Sequence, residues 1–511
     1  MMSDPLILQS DGTLLLDSEH EQSESFAGEL SQFARLEQSQ DRWHTYEIDN
    51  LSLWNAAGSG EESGDIINWL EEHSRTPLSK KLKNRIRDQV DRYGQLRLIP
   101  DSQSSFLRLD ADDPEAINLL REEDLPLPPP TEIGEDYALI PEENRGLLKQ
   151  YYAREGWPIV DLVGYDEGRS LQVELNDDVF SLRDYQQDAV DAYIEGEKKD
   201  GGSGVIVLPC GAGKTITGLG LMAEYDVSTL IIATHRTARR QWKREILEKT
   251  SLTEDLITEY SGSTKDIRPV TLTTYHMLTY RDESDNQFRH MDLFKRADWG
   301  LIIYDEVHLL PAPVFRATAE IQSRRRLGLT ATLVREDGRE SDVFSLIGPK
   351  RYECPWQKLE KDDWISPAHC TEYRINCPDS LRREYNQAER RDQHRIAAEN
   401  PFKLEAIDTI LNRHSGSNVI IIGYYLDPLE AIQDEHDFPL ITGETPVSER
   451  LDYYEDFRQD RIQALILSKV GNYSVDLPNA DVMIQVSGTF GSRQEEAQRL
   501  GRLLRPNQDG G

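Results

Sequence analysis

The sequence predicts an α/β chain with two parallel-sheet lobes preceded by accessory domains. Past residue 180, short apolar runs at 205–208, 229–233, 270–274 and 301–304 alternate with helical stretches. That texture is produced by parallel strands joined by crossover helices. A second set of runs at 419–423, 464–467 and 482–486 predicts the second lobe. A third observation is the stretch VIVLPCGAGKT at 205–215, where an apolar strand leads straight into a glycine-rich loop ending in Lys-Thr.

Taken in order, residues 1–130 are poor in apolar runs and read as an accessory domain, with a helix over 79–93 that sets Leu82, Ile86 and Val90 on one face. The stretch LPLPPP at 125–130 cannot continue a helix and predicts an extended connector with a boundary at 130. Residues 131–178 read as a small mixed domain, with a helix over 145–155 and Tyr151, Tyr152 and Trp157 as its core. The first lobe is expected over 179–352 and the second over 353–511. Between the two strand sets, a predicted helix over 381–395 carries Arg382, Arg383, Arg390, Arg391 and Arg395, a local basic concentration that a solvated helix face would equally explain.

The formal charge of the 511-residue chain is -34, from 92 acidic and 58 basic residues spread along its length. Such acidity fits a solubility device suited to a salty cytoplasm, and it restricts any nucleic-acid site to a local basic groove. Four cysteines, Cys210, Cys354, Cys370 and Cys377, lack the spacing of a zinc or iron–sulfur site. No run reaches membrane-spanning length, and the first residues lack a signal peptide's basic and apolar regions, so a cytoplasmic protein is expected.

In the loop, Gly211, Ala212 and Gly213 let backbone N–H groups close around phosphate. Lys214 would place its charge on the β- and γ-phosphates, Thr215 would hold Mg²⁺, and the following helix would aim its N-terminus at the anion. The general pattern opens with glycine, where this chain has Leu208. The run LIIYDEVH at 301–308 delivers Asp305 and Glu306 to a strand's C-terminal end, where parallel sheets bind ligands. Asp305 would help hold Mg²⁺, and Glu306 would orient and deprotonate the attacking water. A strand-borne Asp-Glu downstream of a strand-borne Gly-Lys-Thr points to nucleoside triphosphate hydrolysis.

Asp305-Glu306-Val307-His308 resembles the second motif of superfamily 2 helicases and translocases, whose two lobes are RecA-like. The run from Leu182 through Arg183 to Gln186 resembles the adenine-reading segment, with Gln186 the candidate for the base, and Thr330-Ala331-Thr332 the motif that couples hydrolysis to lobe movement. The run from Gln498 to Arg505 resembles the sixth motif, in which Arg502 and Arg505 would serve as arginine fingers. Arg335-Glu336-Asp337, the fifth-motif stretch around Asp476, and GSRQEEAQRLGRLLR at 491–505 resemble the XPB family in its prokaryotic form.

This resemblance implies an ATP-dependent 3′-5′ DNA helicase or double-strand DNA translocase acting in nucleotide excision repair. It also implies a thumb-like insertion near 378–402, a damage-recognition region within 131–178, and a possible nuclease partner. His308, Thr330, Thr332, Gln498 and Asp476 are implied as coupling residues. DNA contacts are expected from Arg335, Glu336, Asp337, Arg239, Arg240, Lys243, Thr273 and Thr274, and from Trp242, for which a core or hinge role stays open. The chain stops soon after Arg505, where a complete second lobe would continue, so a truncated lobe is expected. The alternatives are a restriction-type translocase or an RNA helicase of the same superfamily, and a non-catalytic DNA-binding scaffold.

Overall fold

The first sheet, whose first two strands bury leucines at alternate positions, joins β1 (Leu6–Leu8), β2 (Thr13–Asp17), β3 (Arg35–Gln40) and β4 (Trp43–Glu47), antiparallel in the order β1-β2-β4-β3. Leu6, Leu14 and Leu16 face a helical layer that contributes Leu30, Leu53 and Leu70. The helix expected over 79–93 runs Lys80–Arg92. Ser79 caps it by accepting from the Leu82 N–H at 3.2 Å, and Leu82, Ile86 and Val90 are buried. The computed structural model describes residues 5–9, 11–40, 42–103, 105–122, 125–164, 167–200, 202–281, 288–321, 324–333, 339–362, 364–365, 369, 371–468 and 480–487.

A second sheet joins β5 (Leu96–Pro100), β6 (Phe106–Ala111), β7 (Glu132–Ile133), β8 (Tyr137–Pro141) and β9 (Ile159–Asp161) in the order β7-β8-β6-β5-β9. The boundary expected at residue 130 is therefore corrected. It falls inside this sheet, because β6 pairs with β8 across the proline-rich stretch, and Leu127 of that stretch is buried in the same core. The helix Arg145–Arg154 covers the sheet with Leu148, Tyr151 and Tyr152. Its outer side packs so closely that a Cβ on Gly146 would lie 2.4 Å from the Ala319 backbone.

The third sheet contains β10 (Ser203–Val207), β11 (Thr229–Ala233), β12 (Ile257–Glu259), β13 (Val270–Thr274), β14 (Leu301–Asp305), β15 (Arg325–Thr330) and β16 (Lys350–Glu353). All pairs are parallel, in the order β12-β13-β11-β14-β15-β10-β16. β10, β11 and β13 are buried at every position, as strands covered on both faces must be. β12, β15 and β16 went unrecognised in the sequence because they are short or open with charged residues.

The chain divides into two compact units, Met1–Leu208 with Gly213–Gln357, and Lys358–Gly511 with Pro209–Ala212. The second unit holds β17 (Val419–Ile422), β18 (Leu440–Ile441), β19 (Ala464–Leu467) and β20 (Val482–Gln485), parallel in the order β18-β19-β17-β20. The single helix expected over 381–395 is two helices, Asp379–Gln387 and Arg390–Ala398. The chain turns extended at Ala388, and Gln393 Nε2 donates to the Tyr385 carbonyl at 3.1 Å, satisfying a group that the break leaves open. Among the described residues no helix is long and apolar enough to cross a membrane.

Candidate functional site

Because the strands of the third sheet are parallel, the ends of β10 and β14 open on the same edge. β15 lies between them, with Val207 opposite Thr330 and Asp305 opposite Leu329. This register brings Thr330 into the gap between the glycine-rich loop and the acidic pair.

In the loop, Gly211 and Gly213 adopt φ of +82° and +79°, where a side chain would be strained. A Cβ on Gly213 would also stand 2.4 Å from Gln186 Nε2, so glycine is what allows the loop to lie against that amide. Gln186 is buried and accepts from the Arg183 N–H at 3.0 Å, while Arg183 Nη1 donates to Tyr185 at 3.2 Å. The proposed base-reading residues are thus fixed to one another. Gly213 precedes the helix Lys214–Tyr225, which presents Lys214 and Thr215 in its first turn, and Ala212 is fully buried.

Glu306 is a non-glycine residue at φ +49°, a backbone state that costs about 1–3 kcal/mol and turns the chain sharply after β14. The turn directs its carboxylate to Lys214, with Nζ to Oε1 at 3.2 Å. Its other oxygen lies 3.5 Å from His308 Nδ1 and, although buried, accepts no hydrogen bond among the described residues. Burial alone would raise the Glu306 carboxyl, but Lys214 and His308 bring it below the ordinary glutamate value. Asp305 moves the opposite way, raised by burial and by the Glu306 charge beside it. The environments of the two carboxyls separate their roles, with Glu306 held ionised.

Asp305 is gripped twice. Trp242 Nε1 donates to Oδ2 at 3.2 Å, and the Tyr275 hydroxyl donates to the backbone carbonyl at 3.0 Å. Tyr275 escaped the sequence reading; it directly follows Thr273-Thr274, the only signal available. His308 Nδ1 lies 2.5 Å from Thr330 Oγ1, which donates to the Thr332 carbonyl at 2.5 Å and accepts from the Thr332 N–H at 3.2 Å. His308, Thr330 and Thr332, the residues expected to couple, therefore form one continuous chain.

Several expected DNA contacts are corrected by their surroundings. Trp242 is 1 % exposed and engaged by Asp305, so its face is not open to a base. Arg239 is buried, paired with Glu259 at 2.8 Å and bonded to the Tyr260 carbonyl at 3.2 Å. Thr273 is fully buried, and the Thr274 hydroxyl caps the next helix by accepting from the Met277 N–H at 3.2 Å. Arg240 is exposed, and Lys243 pairs with Glu254 at 2.7 Å. Arg335, Glu336, Asp337, Asp476, Gln498, Arg502 and Arg505 lie outside the described residues.

Comparison with known proteins assigns the family. Models described as ERCC3/RAD25/XPB C-terminal helicase, helicase conserved C-terminal domain, and Type III restriction enzyme res subunit match residues 359–510, 6–125 and 179–335. The DNA 3′-5′ helicase XPB of Mycobacterium tuberculosis is 46% identical over 511 residues, covering 100% of this chain and 92% of that protein. The protein of the same name from Kineococcus radiotolerans is 45% identical over 100% of this chain and 90% of its own length. Among solved structures, the Pyrococcus furiosus Hef helicase domain matches 64% of this chain and 94% of its own at 14% identity, with a TM-score of 0.44. The full-length identities decide the matter: the chain belongs to the XPB family of DNA 3′-5′ helicases.

Proposed function

We propose that the chain is an ATP-dependent 3′-5′ DNA helicase or double-strand DNA translocase that acts in DNA repair of the nucleotide-excision kind. The observation that carries this reading is the convergence of Lys214, Asp305 and Glu306 on one edge of a parallel sheet, in a member of the XPB family.

The residues present fit a nucleoside triphosphate with Mg²⁺. Lys214 is poised to exchange Glu306 for the β- and γ-phosphates, and Thr215 and Asp305 supply the hard oxygen donors that Mg²⁺ prefers. Mg²⁺ bound there would neutralise charge on the phosphate oxygens. Glu306 Oε2, which accepts no hydrogen bond among the described residues, is the oxygen that would take the proton of the attacking water. Arg502 and Arg505 are the proposed arginine fingers, and any strand cutting falls to a separate nuclease partner.

One finding favours a restriction-type translocase, the match of residues 179–335 to the Type III restriction enzyme model. It spans a single lobe, whereas the XPB relatives span the whole chain. The deciding experiment is ATP hydrolysis without nucleic acid and with single-stranded DNA, duplex DNA or RNA, across a salt series, with Glu306→Gln as control. Stimulation by DNA that vanishes in the variant supports the motor. Stimulation by RNA alone, or nucleotide binding without hydrolysis, overturns it.

A further inference from the structure

We propose that Trp242 is a positioning residue for the Asp305 carboxylate, fixing which of its oxygens faces Mg²⁺, and that Gly218 provides the space for its indole. The inference rests on the reading of Asp305 as a metal-holding residue.

The buried tryptophans of this unit show how an indole N–H is ordinarily satisfied. Trp299 donates to the Leu293 carbonyl at 3.0 Å, and Trp54 to the Gln89 side-chain amide at 3.2 Å. Trp242, equally buried, instead donates to a carboxylate at the sheet edge where the chemistry is expected. It stands on the helix Arg236–Lys249, which follows β11, so the carboxylate is tied to an element other than its own strand.

The indole is itself held in place. Gly218 lies inside the helix Lys214–Tyr225, where glycine disfavours helix formation, and a Cβ at that position would meet the outer edge of the Trp242 ring at 2.6 Å. The phosphate-loop helix, the indole and Asp305 are therefore packed in series. Tyr275 fixes the Asp305 backbone from the other side.

An aspartate carboxylate rotates readily about its last torsion, and its two oxygens are chemically equivalent until something distinguishes them. The indole N–H does so. Trp242 is the side chain that donates to Asp305 among the described residues, beside a backbone N–H of Glu306, and with Oδ2 taking the indole proton Oδ1 is the oxygen we assign to the metal.

The test compares ADP affinity in Mg²⁺ with that in EDTA, by calorimetry on the full chain, alongside the Mg²⁺ concentration that half-saturates hydrolysis. Trp242→Phe keeps an aromatic ring and deletes the donor. The expected result is unchanged affinity in EDTA, a roughly tenfold smaller enhancement by Mg²⁺, and a matching rise in the Mg²⁺ requirement, as for one charge-assisted hydrogen bond. Gly218→Ala should act in the same direction by displacing the ring. The double variant should be no worse than Trp242→Phe, because phenylalanine lacks the ring atom that the new Cβ would strike.

Parallel loss in EDTA and Mg²⁺, no loss in either, or simple additivity of the two substitutions would show that Trp242 only fills the core. Should Trp242→Phe fail to fold, Gly218→Ala alone decides by the same ratio. Failure of the motor reading is separable, since it would appear in the unmodified chain as absent DNA-stimulated hydrolysis.

Discussion

Lys214 Nζ and Glu306 Oε1 lie 3.2 Å apart, so the cation of the glycine-rich loop and the proposed base neutralise one another across the sheet edge. On the proposed reading phosphate competes with Glu306 for Lys214, and its success would free the carboxylate to act on water. Glu306→Gln removes the competitor and the base together. The variant is expected to bind ATP at least as tightly as the parent and to hydrolyse it roughly a hundredfold to ten-thousandfold more slowly. Equilibrium binding and single-turnover hydrolysis check the two halves separately; weaker binding would show that the pair organises the site rather than restrains it.

The contact of His308 with Thr330 joins the turn after β14 to the end of β15, and Thr330 passes it on to Thr332. Thr330→Val keeps the volume and deletes the hydroxyl that makes all three bonds. Both ATP hydrolysis and strand separation should fall, with strand separation falling further by roughly two- to thirtyfold, the range of measured coupling energies. Rates of both on the same forked duplex test this. Equal losses would assign Thr330 to the chemistry alone.

How far the sequence disclosed this site can be judged from these residues. Lys214 was legible from the glycine-rich loop that follows β10, and Asp305 and Glu306 from their place at the end of β14, because strand-to-loop chemistry is local. The His308–Thr330 contact required knowing that β15 inserts between β10 and β14, a non-local pairing that no window of sequence contains. The core role left open for Trp242 is the one the structure shows, but its partner was hidden for a similar reason. On its own helix it sits among Arg239, Arg240 and Lys243 and suggests a nucleic-acid contact, but the helix turns it inward to Asp305. The boundary at 130 failed because proline marks the end of an element and carries no information about which strands pair across it.

Gly213 carries two constraints, a φ of +79° and a 2.4 Å approach of its would-be Cβ to Gln186 Nε2. Gly213→Ala is expected to cost about 1–3 kcal/mol of stability and to push the Gln186 amide from its place. If Gln186 reads adenine, the preference for ATP over GTP should shrink along with overall affinity. Competition binding of the two nucleotides measures it. A uniform loss that leaves the preference intact would remove Gln186 from base recognition.

Asp161 is buried between Arg145 and Lys149, accepting from Arg145 Nε at 2.9 Å, Arg145 Nη2 at 2.8 Å and Lys149 Nζ at 3.0 Å. Burial alone would raise its carboxyl, but the two cations hold it well below the ordinary value of 3.8. As pH falls through that ordinary value, the unfolded chain takes up a proton at Asp161 that the folded chain refuses. The unfolded state therefore binds more protons, and stability from this group is complete above about pH 4 and lost below it. Asp161→Asn leaves two buried cations without their anion and should cost about 3–5 kcal/mol at neutral pH. The gap between parent and variant should narrow as pH drops below about 4, where protonation costs the parent the same interaction. Urea unfolding of both proteins across that range checks this. A gap that stays constant with pH would mean the carboxylate's charge contributes nothing and that its shape and hydrogen bonds hold β9 to the helix Arg145–Arg154.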